Sequence, residues 1–357
     1  MTVGLDARHF PPQITRRGPH AVLDHAAALG AGGVFFRTLF DISPALDPGL
    51  LREVRSHADA TGLYLEGGLG KVNPFAAAET PELRAFGNGD VVLGIRRTVE
   101  AAAAIGLTDL WAGTANYKPQ YAGILGFDRF RTDVAWSRQL SAISGFLTRL
   151  SPIVRDLGVH LNLETHEEIT SFELVRIVEE VGPDVVGIVY DTANMLHRAE
   201  HPLHTARRVA PYVRQTHLKD AALRWVPDGV EYQLRPCGAG VVDFATIVPL
   251  LLEHNPDLRL TLECDDVRRP GEPPMSMLTE LSNPLYFHGH PDLGVTEFRA
   301  YSRLVDAHED RVRRGEVESF EEHSRRPFGL EQWNSVAIAS AAYIAVVEAS
   351  AELAHAG

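Results

Sequence analysis

Glu164, Asp191, His217 and Glu263 stand in four runs of similar design: "VHLNLE" (159–164), "VVGIVYD" (185–191), "RQTHLKD" (214–220) and "LRLTLEC" (258–264). Three of these runs are apolar or alternating, as a buried strand is, and "RQTHLKD" is the polar exception. Each carries a metal-competent side chain at or near its C-terminal end. Three carboxylates and one imidazole suit a hard or borderline divalent ion, and the histidine favours Mn2+, Co2+ or Zn2+ over Ca2+. Brought together without a cation, such acids repel one another. A single acid at a strand end is ordinarily a helix cap or a solvated loop residue. Four in succession, one per strand, point to a shared centre.

Their neighbours offer further chemistry. His166, two residues past Glu164, could be a general base near neutral pH or a surface histidine at a helix start. Asn194 and Lys219 are candidates to bond a substrate hydroxyl, and Asp220 could orient a metal ligand. "RPCGAG" (235–240) puts flexible glycines beside Arg235, which could bind a substrate oxygen or simply face solvent. Trp111 and Phe36, near earlier strand ends, could stack on an apolar sugar face or belong to the core. His197, His201 and His204 read as residues of a solvated connector.

The elements that would carry these groups alternate. Earlier strand candidates are "TVGLD" (2–6), "GVFFR" (33–37), "LYLEGG" (63–68) and "TDLWAGT" (108–114), which makes eight with the four above. Helical runs lie between them. In "DPGLLREVRSHADATG" Asp47 reads as the N-cap and Gly62 as the stop. A long amphipathic stretch covers about 127–157. Eight βα units in sequence imply parallel strands with crossover helices, and an α/β fold of the closed (β/α)8 barrel type is expected over residues 1–315. A doubly wound open sheet is the alternative, weakened by the lack of a GxGxxG turn. After the eighth strand comes an extended Pro-rich loop, 265–292. A helical extension, 316–357, adds one C-terminal helix at about 331–353.

The chain has 357 residues and a net charge of −13, with 45% hydrophobic residues. That charge argues against nucleic acid as a partner. Cys237 and Cys264 form no CxxC pair, and the N-terminus has no apolar signal-like core, so a cytoplasmic protein is expected. "SVAIASAAYIAVV" is shorter than the roughly 20 residues of a membrane span, so no membrane association is expected.

"NLETH", "YDTAN", "THLKD", "GAGVVDF" and "LTLEC", in this order, resemble the sugar phosphate isomerase/epimerase family with its xylose-isomerase-like TIM barrel. The resemblance implies that Glu164, Asp191, His217 and Glu263 hold a divalent ion, most often Mn2+, with Mg2+ also admissible. It implies that Glu164 and Glu263 move protons on opposite faces of a sugar or keto-sugar. The ketose 3-epimerases of the family commonly place a histidine where Asn194 stands. Relatives with enlarged chains resemble catalytic subunits of C-glycoside deglycosidases, lyases acting on 3-keto glycosides, in which a base such as His166 would act. Such subunits pair with a smaller subunit, so either a homo-oligomer or a hetero-oligomer is implied. DNA-repair endonucleases share the barrel but need three metals and a basic groove. A non-catalytic scaffold would be expected to lack a metal ligand, and all four are present.

Overall fold

The computed structural model describes residues 2–118, 120–263 and 274–355 of the chain. Eight parallel strands form one sheet: β1 Gly4–Asp6, β2 Gly33–Phe36, β3 Tyr64–Lys71, β4 Asp109–Gly113, β5 His160–Glu164, β6 Val186–Asp191, β7 Val213–His217 and β10 Thr261–Leu262. The order is β10-β1-β2-β3-β4-β5-β6-β7. The ends meet where Leu218 pairs with Leu262, with Leu218 N donating to Thr261 O at 2.8 Å and Glu263 N to Leu218 O at 3.1 Å. This closure makes the sheet a (β/α)8 barrel and rules out the open doubly wound alternative.

The strands are buried along nearly their whole length, which is why β6 reads as an almost unbroken apolar run. Helices cover the outside. Helix Pro48–Ala60 starts at Asp47, whose carboxylate accepts from Leu50 N at 2.8 Å, and the chain leaves it through Gly62 at φ 73°. Helix Ser171–Val181 starts with a capping box between Thr170 and Glu173. The stretch expected to be helical from about 127 begins with a short 3-10 turn, Asp128–Phe130, and the helix itself is Trp136–Asp156.

A second layer was not anticipated. Strand seven ends at His217, and "DAALRWV" opens an antiparallel hairpin, β8 Asp220–Val226 and β9 Gly229–Arg235. The expected Pro-rich loop lies partly outside the described residues, as does Cys264. Within its described part, β11 Ser276–Thr279 pairs with β9, and Pro284–His288 is a short helix. Leu223, Tyr232, Leu234, Met277, Tyr286, Tyr301 and Val305 form a separate core beneath helix Val295–Arg313.

The extra C-terminal helix, Leu330–His355, presents Trp333, Ala337, Ala341 and Ile344 to the barrel core, a stripe at helical spacing. Trp333 packs on Phe10 with ring centroids 4.8 Å apart. This helix is longer than the apolar run in its sequence. Its segment Leu330–Ala351 is long and apolar enough, by length and composition, to cross a membrane. The buried stripe is the packing that the structure gives it.

Candidate metal centre

Glu164, Asp191, His217 and Glu263 end β5, β6 and β7 or follow β10, so barrel closure carries all four to one end. They are buried, and one ligand atom from each lies within 4.8 Å of the others. His217 Nδ1 is 2.9 Å from Glu164 Oε1 and 3.3 Å from Glu263 Oε2. Asp191 Oδ1 accepts from the backbone N–H groups of Ala193 and Asn194, both at 2.9 Å. That pair fixes the carboxylate and leaves Oδ2 toward Lys219 Nζ, at 2.9 Å. Lys219 Nζ is also 3.2 Å from Glu263 Oε1.

The donor set fits a divalent cation. Burial, together with the charges of Glu263 and Glu164, pushes Asp191 well above the usual carboxylate range, against the pull of Lys219. Three carboxylates at this spacing hold their charge more easily around a cation than around one ammonium and one imidazole.

Trp111 on β4 donates its Nε1–H to Glu164 Oε2 at 2.9 Å, so it orients a ligand as well as lining the cavity. His166 Nδ1 is 2.7 Å from Glu167 Oε2 and 2.5 Å from Glu168 Oε2, and its Nε2 lies 3.9 Å from Glu164. Burial opposes a charge on this ring, but Glu167, Glu168 and Glu164 outweigh it and push its pKa up to about 10. The ring is buried, not on the surface, and the three carboxylates around it favour its charged form.

Glu164, His217, Glu263, Trp111, His166 and Glu167 line a cavity of about 320 Å³, with Asn194, Lys219, Phe35, Asp6, Arg8, His9, Arg37 and Met275, and Asp191 is not in its lining. Another cavity, of about 500 Å³, opens near Asp109, Arg214 and Arg259 and includes none of the four ligand candidates.

Two candidates are not part of the site. Phe36 packs in the outer core, and it is Phe35 that lines the cavity, its ring 4.7 Å from that of His217. The expectation missed by one residue, and on a strand one residue reverses the face. Arg235 lies in the antiparallel layer, bonding Gln233 and stacking on Phe320 at 5.3 Å. Asp220 does not reach the metal candidates' side chains either. It accepts from Ala221, Gly238, Gly240 and Val242 N–H groups at 2.8–3.0 Å and so pins the "RPCGAG" loop. A Cβ on Gly240 would meet Ala221 O at 2.2 Å, which is why glycine stands there. His197 is buried against Tyr232, at 4.4 Å between rings, and is not on a solvated connector. Sequence reasoning passed over Asp6 and His9. His9 Nε2 lies 3.1 Å from Glu263 Oε1, and "LDARHF" spans the end of the first strand, which was the available signal.

A family model described as xylose isomerase-like TIM barrel matches residues 23–281. The chain belongs to that family. YihM of Escherichia coli K12 is 29% identical over 157 residues, 44% of this chain and 44% of that protein, so the match spans less than half of that relative. The 3-oxo-isoapionate decarboxylase of Pectobacterium atrosepticum is 23% identical over 251 residues, 68% of this chain and 78% of the relative. The crystal structure of a D-psicose 3-epimerase, in the presence of D-fructose, is similar in fold with a TM-score of 0.58 and 14% identity, covering 98% of this chain and 99% of that one.

Proposed function

We propose that the chain is a divalent-metal-dependent enzyme that removes the proton next to a carbonyl of a sugar or keto-sugar, in the manner of a sugar isomerase or epimerase. The observation that carries this reading is the buried convergence of Glu164, Asp191, His217 and Glu263 within 4.8 Å. The cavity of about 320 Å³ lined by Glu164, His217 and Glu263 suits a small molecule. A divalent ion held by the four, Mn2+ by preference, with Co2+, Mg2+ or Zn2+ as alternatives, would polarise the carbonyl and stabilise the charge that develops as the proton leaves.

The chain's own residues do the rest. Glu164 and Glu263, from β5 and just past β10, bound the cavity on separate strands, so one can take the α-proton and the other return one to the opposite face. His166 is the further proton carrier. Asn194 and Lys219 reach substrate oxygens, and Trp111 keeps Glu164 in place. The decarboxylase among the relatives is named for a 3-oxo substrate, which favours a keto-sugar. In this reading 1–315 is the catalytic barrel and 316–357 an extension available for oligomer contacts.

A second reading is elimination from a 3-keto glycoside, in which the C–H electron pair left by the departing proton becomes a carbon–carbon double bond and the aglycone leaves with the electrons of its own bond. Asn194 in the cavity, where ketose epimerases commonly carry histidine, favours it. A smaller partner subunit belongs to that reading.

The test is incubation of Mn2+-loaded protein in D2O with free ketoses and with 3-keto glycosides, beside a Glu164→Gln control. Isomerised sugar, or deuterium at the α-carbon, absent in the control, is the expected result. Released aglycone would replace the first reading by the second. Metal bound with no exchange on either substrate class would contradict both.

A further inference from the structure

His166 is held from behind by an acid that the cavity does not reach. Its Nδ1 lies 2.5 Å from Glu168 Oε2 in hydrogen-bond geometry. Glu167 Oε2 is also close, at 2.7 Å, yet that oxygen forms no hydrogen bond among the described residues. The two acids differ in place as well. Glu167 lines the metal-centre cavity, whereas Glu168 is fully buried behind the ring and is not in the lining.

The loop that carries Glu168 is tied to three other elements. Thr114, which directly follows β4, donates its hydroxyl to Glu168 Oε1. Arg129 Nη1 donates to the backbone oxygen of Glu168 at 3.1 Å and to Glu173 Oε2 at 2.7 Å, which anchors the loop at the capping box of helix Ser171–Val181. Thr165 Oγ1 accepts from Asp191 N at 2.7 Å and donates to Asp191 O at 3.0 Å, which joins the loop to β6. Thr114, Arg129 and Thr165 are all buried. Loops at strand ends are ordinarily mobile and exposed. This one is neither exposed nor free to turn at residue 168.

Burial works against a charge on Glu168, but His166 and Lys71 outweigh it and hold the carboxyl below the usual carboxylate range. An ionised carboxylate only accepts hydrogen bonds, so Nδ1 of His166 is the nitrogen that donates to it. That leaves Nε2 on the cavity side, 3.9 Å from Glu164 Oε2. Packing alone would be served as well by an apolar side chain at 168, without the desolvation of a carboxylate.

We propose that Glu168, seated by Thr114, is the positioning residue of His166: it fixes the plane of the ring and keeps a proton on Nδ1, so that Nε2 is the nitrogen that exchanges protons with a bound substrate. The proposal rests on the reading of His166 as a proton carrier at the metal centre. Glu168 itself touches no substrate, and Glu167, though adjacent, does not share the task.

The experiment has two readouts on the full chain. The first needs no substrate. Protein labelled with nitrogen-15 histidine and loaded with diamagnetic Mg2+ gives, by nuclear magnetic resonance, the solvent-exchange rate of the His166 Nδ1–H, assigned by its loss in His166→Gln. Glu168→Gln is expected to speed that exchange at least about tenfold, Thr114→Val to speed it less, and Glu167→Gln to leave it unchanged. The second is turnover by Mn2+-loaded protein of the ketose or 3-keto glycoside that the wild type accepts. In Glu168→Gln kcat is expected to fall at least about tenfold with KM within about twofold, and Glu168→Asp is expected to recover part of the loss. Far-UV spectra check each variant, and Thr114→Val stands in should Glu168→Gln not fold. Unchanged Nδ1–H exchange or wild-type kcat in Glu168→Gln would overturn the proposal, and so would an equal gain in exchange in Glu167→Gln. Absence of turnover by the wild type would strike at the reading of the centre instead, and the exchange rates would then decide the proposal.

Discussion

At the scale of single residues, the centre depends on side chains that touch the ligand candidates from behind. Trp111 offers one N–H, and it goes to Glu164 Oε2. Trp111→Phe keeps the ring and removes that donor, which leaves a buried carboxylate oxygen without its partner. Mn2+ affinity is expected to fall by about 10–100-fold, the usual effect of losing a group that orients a metal ligand. Metal titration with a far-UV spectrum of the same sample would check it, and unchanged affinity would reduce Trp111 to a wall of the cavity. Glu164, Asp191 and Glu263 were readable because each ends an apolar or alternating run, whereas His217 stands in the polar run "RQTHLKD" and was placed by the βα period. Phe35 and Phe36 were not separable, because both residues of "VFF" are apolar and the sequence carries no mark of which one faces the barrel interior.

At the scale of elements, the barrel strands were readable because strands buried on both faces leave continuous apolar runs. The hairpin β8–β9 was not. Asp220 belongs to "THLKD", whose other residues ask to be read as the end of strand seven, and the turn "PDG" lies in a stretch that a longer loop would also explain. That layer is held by helix Val295–Arg313, where the Nδ1–H of buried His308 donates to Leu223 O at 2.9 Å. Burial lowers the His308 pKa to about 4, with Arg235 and Arg311 adding to the shift and the Leu223 carbonyl opposing it. A histidine depressed in the folded state binds its second proton more readily when unfolded. Its contribution to stability is therefore complete above the unfolded value of about 6.5 and is lost as pH falls from there toward 4. Urea denaturation at pH 7 and pH 4.5 is expected to show a loss of about 1–3 kcal/mol that is smaller in His308→Gln. An equal acid loss in both proteins would contradict this account of the layer.

At the scale of the whole molecule, closure of the barrel does what no local segment can. Residues 164 and 263 are 99 apart in the chain, yet the pairing of Leu218 with Leu262 brings Glu263 beside His217 and Glu164. The period of the βα units was enough to anticipate that convergence, because parallel strands all end on one side. What the period could not anticipate is the supply of groups from the first two strands, Asp6, Arg8, His9 and Arg37, because single polar residues at strand ends look like ordinary loop residues until the barrel is closed. The chain gathers its four ligand candidates at one end of the barrel and places Arg8 and Arg37 in the lining of the same cavity. The most direct test is titration of the metal-stripped protein with Mn2+, followed by the electron paramagnetic resonance of the free ion, in wild type, Asp191→Asn and Glu164→Gln. The account predicts about one tightly bound ion per wild-type chain and at least about tenfold weaker binding in each variant. No stoichiometric binding by the wild type, or equal affinity in the three proteins, would contradict it.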